Sequence, residues 1–141
     1  MSRIFLDTNF FIYLYEAQGP RAARARYLTR AFIARKDEIF TSVMSLGEVL
    51  VTPLARGDFA LAQRYRRLFR SPGIAVLPFV EQAAEIFARI RIGGKIKPPD
   101  AIQLATAANA GCDLFLTNDD RLFGITVPGI HFITSFDKAP I

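Results

Sequence analysis

Four acidic residues stand where the chain could do chemistry: Asp7, Glu48, Asp100 and Asp119. Asp7 ends the apolar run Ile4-Phe5-Leu6 and precedes Thr8-Asn9 and a second apolar run, Phe10 to Leu14. A continuous apolar run at the chain start predicts a strand, residues 3–7, buried on both faces. Thr8 and Asn9 are turn and cap formers, so a helix is expected at about 9–16. Ligands of open parallel sheets gather at the carboxyl ends of strands, which is where Asp7 falls. Asp119 follows a similar run, Asp113-Leu114-Phe115-Leu116-Thr117. Glu48 sits between Gly47 and Val49 in a largely apolar helix, and Asp100 lies in the first turn of a helix opened by Pro98-Pro99.

Each acid alone has a plain structural use. Asp7 suits a helix cap, Asp100 the positive end of a helix dipole, and Asp119 or Asp120 a cap after the fourth strand. Glu48 could point to solvent. Together they say more. If the strands take the order 3-2-1-4-5, the first and fourth are neighbours, and Asp7 and Asp119 face one crevice. Nothing local requires four acids to meet. Clustered carboxylates repel, and a hard divalent cation is the usual remedy. Oxygen-only ligation suits Mg²⁺ or Mn²⁺ rather than Zn²⁺. Such an ion can polarise a phosphodiester and lower the pKa of a bound water.

The elements that must position these acids alternate between strand and helix. After the first strand and helix, Gly19-Pro20 breaks the chain. Residues 21–36 predict an amphipathic helix with a basic face and Tyr27, Leu28, Phe32 and Ile33 at helical spacing. A second strand is expected at 38–42, and a helix at 45–50 that ends before Pro53. Asp58 can cap a helix at 59–70, and a third strand follows at 74–77. Residues 80–92 predict a helix with Val80, Ala84, Phe87 and Ile90 inward, stopped by Gly93-Gly94. The helix of Asp100 runs to Ala110, a fourth strand spans 113–117, and a fifth spans 130–134. Strands separated by helices argue for a parallel sheet with helices on both faces.

The totals agree. A chain of 141 residues, about half of them hydrophobic, is expected to form a single domain over 1–141 with a real core. No apolar run reaches the ~20 residues of a membrane helix, and the N-terminus lacks a signal-peptide pattern, so a cytoplasmic location is expected. One cysteine, Cys112, and one histidine, His131, exclude an internal disulfide and a multi-histidine or cysteine zinc site; both are expected to be packing residues. The net charge of +5 favours a polyanionic partner. Lys95 and Lys97, just before Asp100, are the candidates for phosphate contact, which would position a nucleic acid without reading its sequence.

Four strings carry a resemblance: Phe5-Leu6-Asp7-Thr8-Asn9, Ser45-Leu46-Gly47-Glu48-Val49-Leu50, Pro99-Asp100-Ala101-Ile102-Gln103-Leu104-Ala105-Thr106-Ala107 and Phe115-Leu116-Thr117-Asn118-Asp119. In this order they resemble the four motifs of the PIN domain, and in particular of VapC-type toxins from toxin–antitoxin pairs. The resemblance implies a three-layer α/β/α sandwich with a central, mostly parallel sheet of four or five strands. It implies an endoribonuclease using Mg²⁺ or Mn²⁺, an RNA substrate, a cognate antitoxin and a homodimer. It carries the metal and catalytic site onto Asp7, Glu48, Asp100 and Asp119, with Asn9 and Thr117 orienting the acids. Asp120 doubles the last acid, and Asp119 is favoured because it follows Thr117-Asn118 directly. Two alternatives remain within the resemblance, an RNA-processing nuclease outside any toxin pair and a non-catalytic RNA-binding module. A haloacid-dehalogenase-type phosphatase is disfavoured, because Asn9 stands where that family has its second Asp.

Overall fold

The computed structural model describes residues 1–141. Its centre is one sheet of five parallel strands: β1 (Arg3–Leu6), β2 (Glu38–Ser42), β3 (Ile74–Leu77), β4 (Leu114–Leu116) and β5 (Phe132–Thr134). Their spatial order is β3-β2-β1-β4-β5. The sheet is wholly rather than mostly parallel, and its order reverses direction at β1, between β2 and β4. Ile4 pairs with Leu114, Phe5 with Phe115 and Leu6 with Leu116.

Side chains alternate across a strand, so this register sorts the apolar residues into two cores. Ile4, Leu6, Leu114 and Leu116 face the layer that contains α1 (Thr8–Tyr15), α2 (Pro20–Arg35), α3 (Val43–Ala55) and α4 (Phe59–Phe69). Phe5 and Phe115 face the layer of α5 (Glu81–Ile92) and α6 (Pro98–Asn109), and their rings stack at 5.1 Å. The result is the three-layer α/β/α sandwich.

Local chemistry sets the element ends. Asp58 caps α4 by accepting from the Leu61 N–H, as expected from its position. Ser42 caps α3 by accepting from the Ser45 N–H, so this helix begins at Val43 rather than Ser45. It also runs through Pro53 instead of stopping before it. Pro53 lies two residues from the helix end, where its missing N–H costs only one ladder bond, and its ring is buried.

Three further expectations are corrected. The inward stripe of α5 is Ala83, Ile86, Phe87 and Ile90, at i, i+3, i+4 and i+7; Ala84 lies off that stripe and faces solvent, and Val80 is the cap residue. His131 is not a packing residue. Its side chain is exposed, with Nδ1 3.4 Å from Asp113 Oδ1. Cys112 is buried as expected. In α2, Leu28 and Phe32 are buried, whereas Tyr27 and Ile33 are exposed. No helix is long and apolar enough to cross a membrane.

Candidate functional site

Asp7 is the first residue past β1, and its N–H still donates to Leu116 O of β4 at 3.0 Å. The sheet ladder therefore fixes where its carboxylate stands. Asp7 also caps α1, with Oδ1 accepting the Thr8 N–H at 2.8 Å, so the plain structural use of this residue is real. Its other oxygen, Oδ2, accepts the Thr117 hydroxyl at 2.7 Å. Thr117 follows β4, on the strand beside β1. Its hydroxyl donates to Asp7 and accepts from the Asp119 N–H at 3.0 Å and Asn9 Nδ2 at 3.3 Å. One donor and two acceptor positions are thus all in use. Asn9 closes the loop by accepting the Asn118 N–H at 3.4 Å.

Glu48 projects from α3 towards the same place, and its Oε1 accepts the Thr8 hydroxyl at 2.7 Å. Beneath lies a buried polar group that sequence reasoning did not pick out. Gln103 of α6 donates from Nε2 to Ser45 Oγ at 2.6 Å and lies 3.4 Å from both Asp7 Oδ1 and Thr8 Oγ1. Its Oε1 accepts the Ser42 hydroxyl. Each donor here finds a partner, as buried polar atoms must. The available signal was spacing: Gln103 lies three residues after Asp100, on the same face of a helix whose neighbouring residues Ala101, Ile102, Leu104 and Ala105 are apolar.

Asp100 and Asp119 complete the group. Asp119 is directed inward by the bond from its own N–H to Thr117 and is three-quarters or more buried, whereas Asp120 is exposed. Asp119 also caps the short 3-10 turn Asp120–Leu122. Arg121, on that turn, grips Asp119 with Nε on Oδ1 at 2.8 Å and Nη2 on Oδ2 at 2.5 Å. The same Nη2 lies 3.9 Å from Asp100 Oδ2. Arg121 was absent from the basic residues singled out in the sequence, although it lies only two positions from Asp119. Lys95 and Lys97 are both exposed, and Lys97 is the cap residue of α6.

The charges are strongly coupled. Burial pushes the Asp7 carboxyl up to about 6, against the hydrogen bonds from Thr117 and Thr8, and the negative charges of Asp100 and Glu48 push the same way. Asp100 is also raised, first by burial and then by the charge of Asp119. Asp119 is lowered, chiefly by the hydrogen bond from Arg121. Behind burial, the charges of neighbouring acids act on Asp7 and Asp100, which ties the four acids to one crevice. As they stand, no three acidic, histidine or cysteine side chains are close enough to chelate one ion. Asp119 is turned to Arg121 instead.

The largest apolar cavity lies elsewhere. It has a volume of about 350 Å³, between α1, α2, α4 and the sheet, with Leu14, Phe32, Ile33 and Leu68 in its walls and Asp37 at its side.

The PIN domain family model matches residues 4–126. A toxin–antitoxin complex from Klebsiella pneumoniae is similar at 27% identity and a TM-score of 0.68, covering 92% of this chain and 95% of that one. VapC20 of Mycobacterium tuberculosis, a sarcin–ricin loop cleaving toxin, is similar in fold at 22% identity and a TM-score of 0.66, covering 87% and 96%. VapBC2 of Rickettsia felis, bound to a promoter DNA fragment, shares the fold at 16% identity and a TM-score of 0.71, covering 94% and 97%. A search of curated proteins finds no match.

The raised Asp7 carboxyl makes a stability prediction. Its folded pKa lies above the usual 3.8, so the fold binds the proton more tightly than the unfolded chain does. Stability therefore falls as pH rises from about 4 to about 6 and stays reduced above that. The ionised group costs the metal-free fold about 3 kcal/mol, at about 1.4 kcal/mol per pKa unit. Asp7→Asn removes that cost but disturbs the Thr117 bond, worth about 1 kcal/mol. In EDTA the variant should melt several degrees above wild type at pH 7.5, and the gap should close near pH 4. A lower melting temperature at both pH values would show that hydrogen bonding, not charge, dominates at Asp7.

Proposed function

The chain belongs to the PIN domain family, and on that premise we propose that it is a metal-dependent endoribonuclease, the toxin of a toxin–antitoxin pair. The observation that carries the reading is that four different elements bring Asp7, Glu48, Asp100 and Asp119 to one crevice, with Asp7 a buried acid whose own oxygens meet only neutral donors. Repelling acids held together by a built polar framework suit a function rather than the fold.

The residues fit a hard divalent ion such as Mg²⁺ or Mn²⁺. The donors are all carboxylate oxygens, and the one basic group among them, Arg121, already occupies the face of Asp119 as a cation would. Asp7, Asp100, Glu48 and Asp119 would hold the ion, with Asn9 and Thr117 orienting Asp7 and Asp119. Bound there, it would supply charge to a phosphodiester and a more acidic water. The chain's own part is positional. Thr117 fixes Asp7 and the backbone of Asp119 through one hydroxyl, and Thr8 ties Glu48 to the same corner. Lys95 and Lys97, exposed beside Asp100, are suited to hold the RNA backbone. Single-stranded or looped RNA is the expected substrate, since duplex RNA hides its bases.

The protein, purified free of other nucleases, should cleave a looped RNA with Mn²⁺ or Mg²⁺ and be silent in EDTA. Loss of an outer partner of a metal typically costs about 10–100-fold, so loss of a ligand should cost at least that. Asp119→Asn is expected to fall that far and Asp120→Asn to stay near wild type. The opposite ranking would exchange the two residues, and cleavage in EDTA would reject the metal. A folded protein that takes up Mn²⁺ but cleaves no RNA would favour the non-catalytic module.

The groove walled by Leu14, Phe32, Ile33 and Leu68 is where the antitoxin would lay an apolar helix. The exposed Val51, Leu54 and Phe59, near the α3–α4 corner, are apolar surface available to a homodimer. Expression should arrest growth, and the small protein encoded beside this gene should relieve the arrest. Ile33 is 74% exposed, so Ile33→Asp should leave folding and cleavage intact. It should weaken binding of that partner by about tenfold or more, the cost of losing a buried apolar anchor of ~1.5 kcal/mol or more. Unchanged binding would place the partner on another face. Cleavage without growth arrest would favour an RNA-processing role.

A further inference from the structure

Arg121 holds two of the acids in a way that a surface ion pair does not require. Its guanidinium takes both oxygens of Asp119, and its own backbone N–H adds a third bond to Oδ1 at 3.1 Å. Nη2 also faces Asp100, which belongs to α6 and lies 3.9 Å away. One planar fork thus lies between acids from two separate elements, with the geometry Arg adopts on carboxylates. Nothing anchors the side chain otherwise. Arg121 is 61% exposed and stands on a turn of three residues, so it can leave without disturbing either core. Meanwhile Asp119 directs both oxygens at the guanidinium, and no three acids close on one point.

We infer that Arg121 is the site's built-in counter-cation: it holds Asp119 and Asp100 in the metal-free protein, and a divalent ion must displace it from Asp119 to bind. This rests on the metal reading above and adds to it a competition within the chain. Arg121 is then a positioning residue that sets how tightly the ion is held. An ordinary surface ion pair, worth little and coupled to nothing, is the alternative.

The two differ in the metal-binding constant, which is read without any cleavage assay. Titration calorimetry with Mn²⁺ should be run on wild type, Arg121→Gln and Arg121→Lys, with melting curves in EDTA. Competition predicts that Arg121→Gln binds Mn²⁺ more tightly, by about fivefold for a half-exposed pair. It also predicts that this variant melts lower in EDTA, where Asp119 and Asp100 lose their counter-charge. Arg121→Lys keeps the charge without the fork and should lie between the two. Metal affinity that is equal or weaker in Arg121→Gln overturns the inference while leaving the metal site standing. If only Arg121→Gln binds Mn²⁺, the competition is supported in its strongest form. If neither binds, both the inference and the metal reading fall.

Discussion

The structure depends on a carboxylate that is buried where the strand order turns. Asp7 stands at the end of the central strand, hydrogen-bonded into the ladder through its own N–H and almost closed to solvent. A buried charge normally needs a partner of opposite sign. Asp7 has instead a hydroxyl, a backbone N–H and, farther off, an amide. These soften the charge without neutralising it, and the carboxyl still rises to about 6. The rest of the site follows from this one unmet need. Thr117, Thr8, Gln103 and the two serines form a framework that keeps the acid in place.

This framework explains why the site sits on β1 and β4 and not at either sheet edge. Only at the reversal of strand order do two neighbouring strands send their following chains to opposite faces and leave a crevice between them. The Phe5–Phe115 stack and the Ile4–Leu114 and Leu6–Leu116 pairs lock these strands in register. A slip of one residue would turn every side chain over and separate Asp7 from Thr117. Core packing and site geometry are therefore one constraint. The wider charge pattern adds to it. The chain has a net charge of +5, yet four of its thirteen acids gather at this crevice.

Much of this was legible because it is written in short-range pattern. Apolar runs ending in an acid gave β1 and β4, and the spacing of helices between strands gave the parallel sheet and its possible order. Asp7 and Asp119 could be assigned to one crevice as soon as that order was assumed. What was not legible depends on tertiary placement. Pro53 reads as a stop, yet one ladder bond near a helix end is a small loss beside its burial. Ala84 and Ala83 are alike in type, and only the packing of α5 against its neighbours decides which faces inward. His131 was judged by residue type alone, while its place before an edge strand exposes it. Gln103 and Arg121 were hidden differently: each is ordinary in sequence and gains its meaning only from partners brought by other elements.

The central claim is that Asp7, Glu48, Asp100 and Asp119 form one site for a divalent cation. Crystals soaked in Mn²⁺ and measured for anomalous scattering test it most directly. The account predicts one strong anomalous peak bounded by the carboxylates of Asp7, Asp100 and Asp119, near the ~2.2 Å expected for a hard ion on oxygen, with Arg121 turned away from Asp119. A peak only on surface acids such as Asp58 or Asp137, or no peak while Arg121 keeps its grip on Asp119 at saturating Mn²⁺, would contradict it.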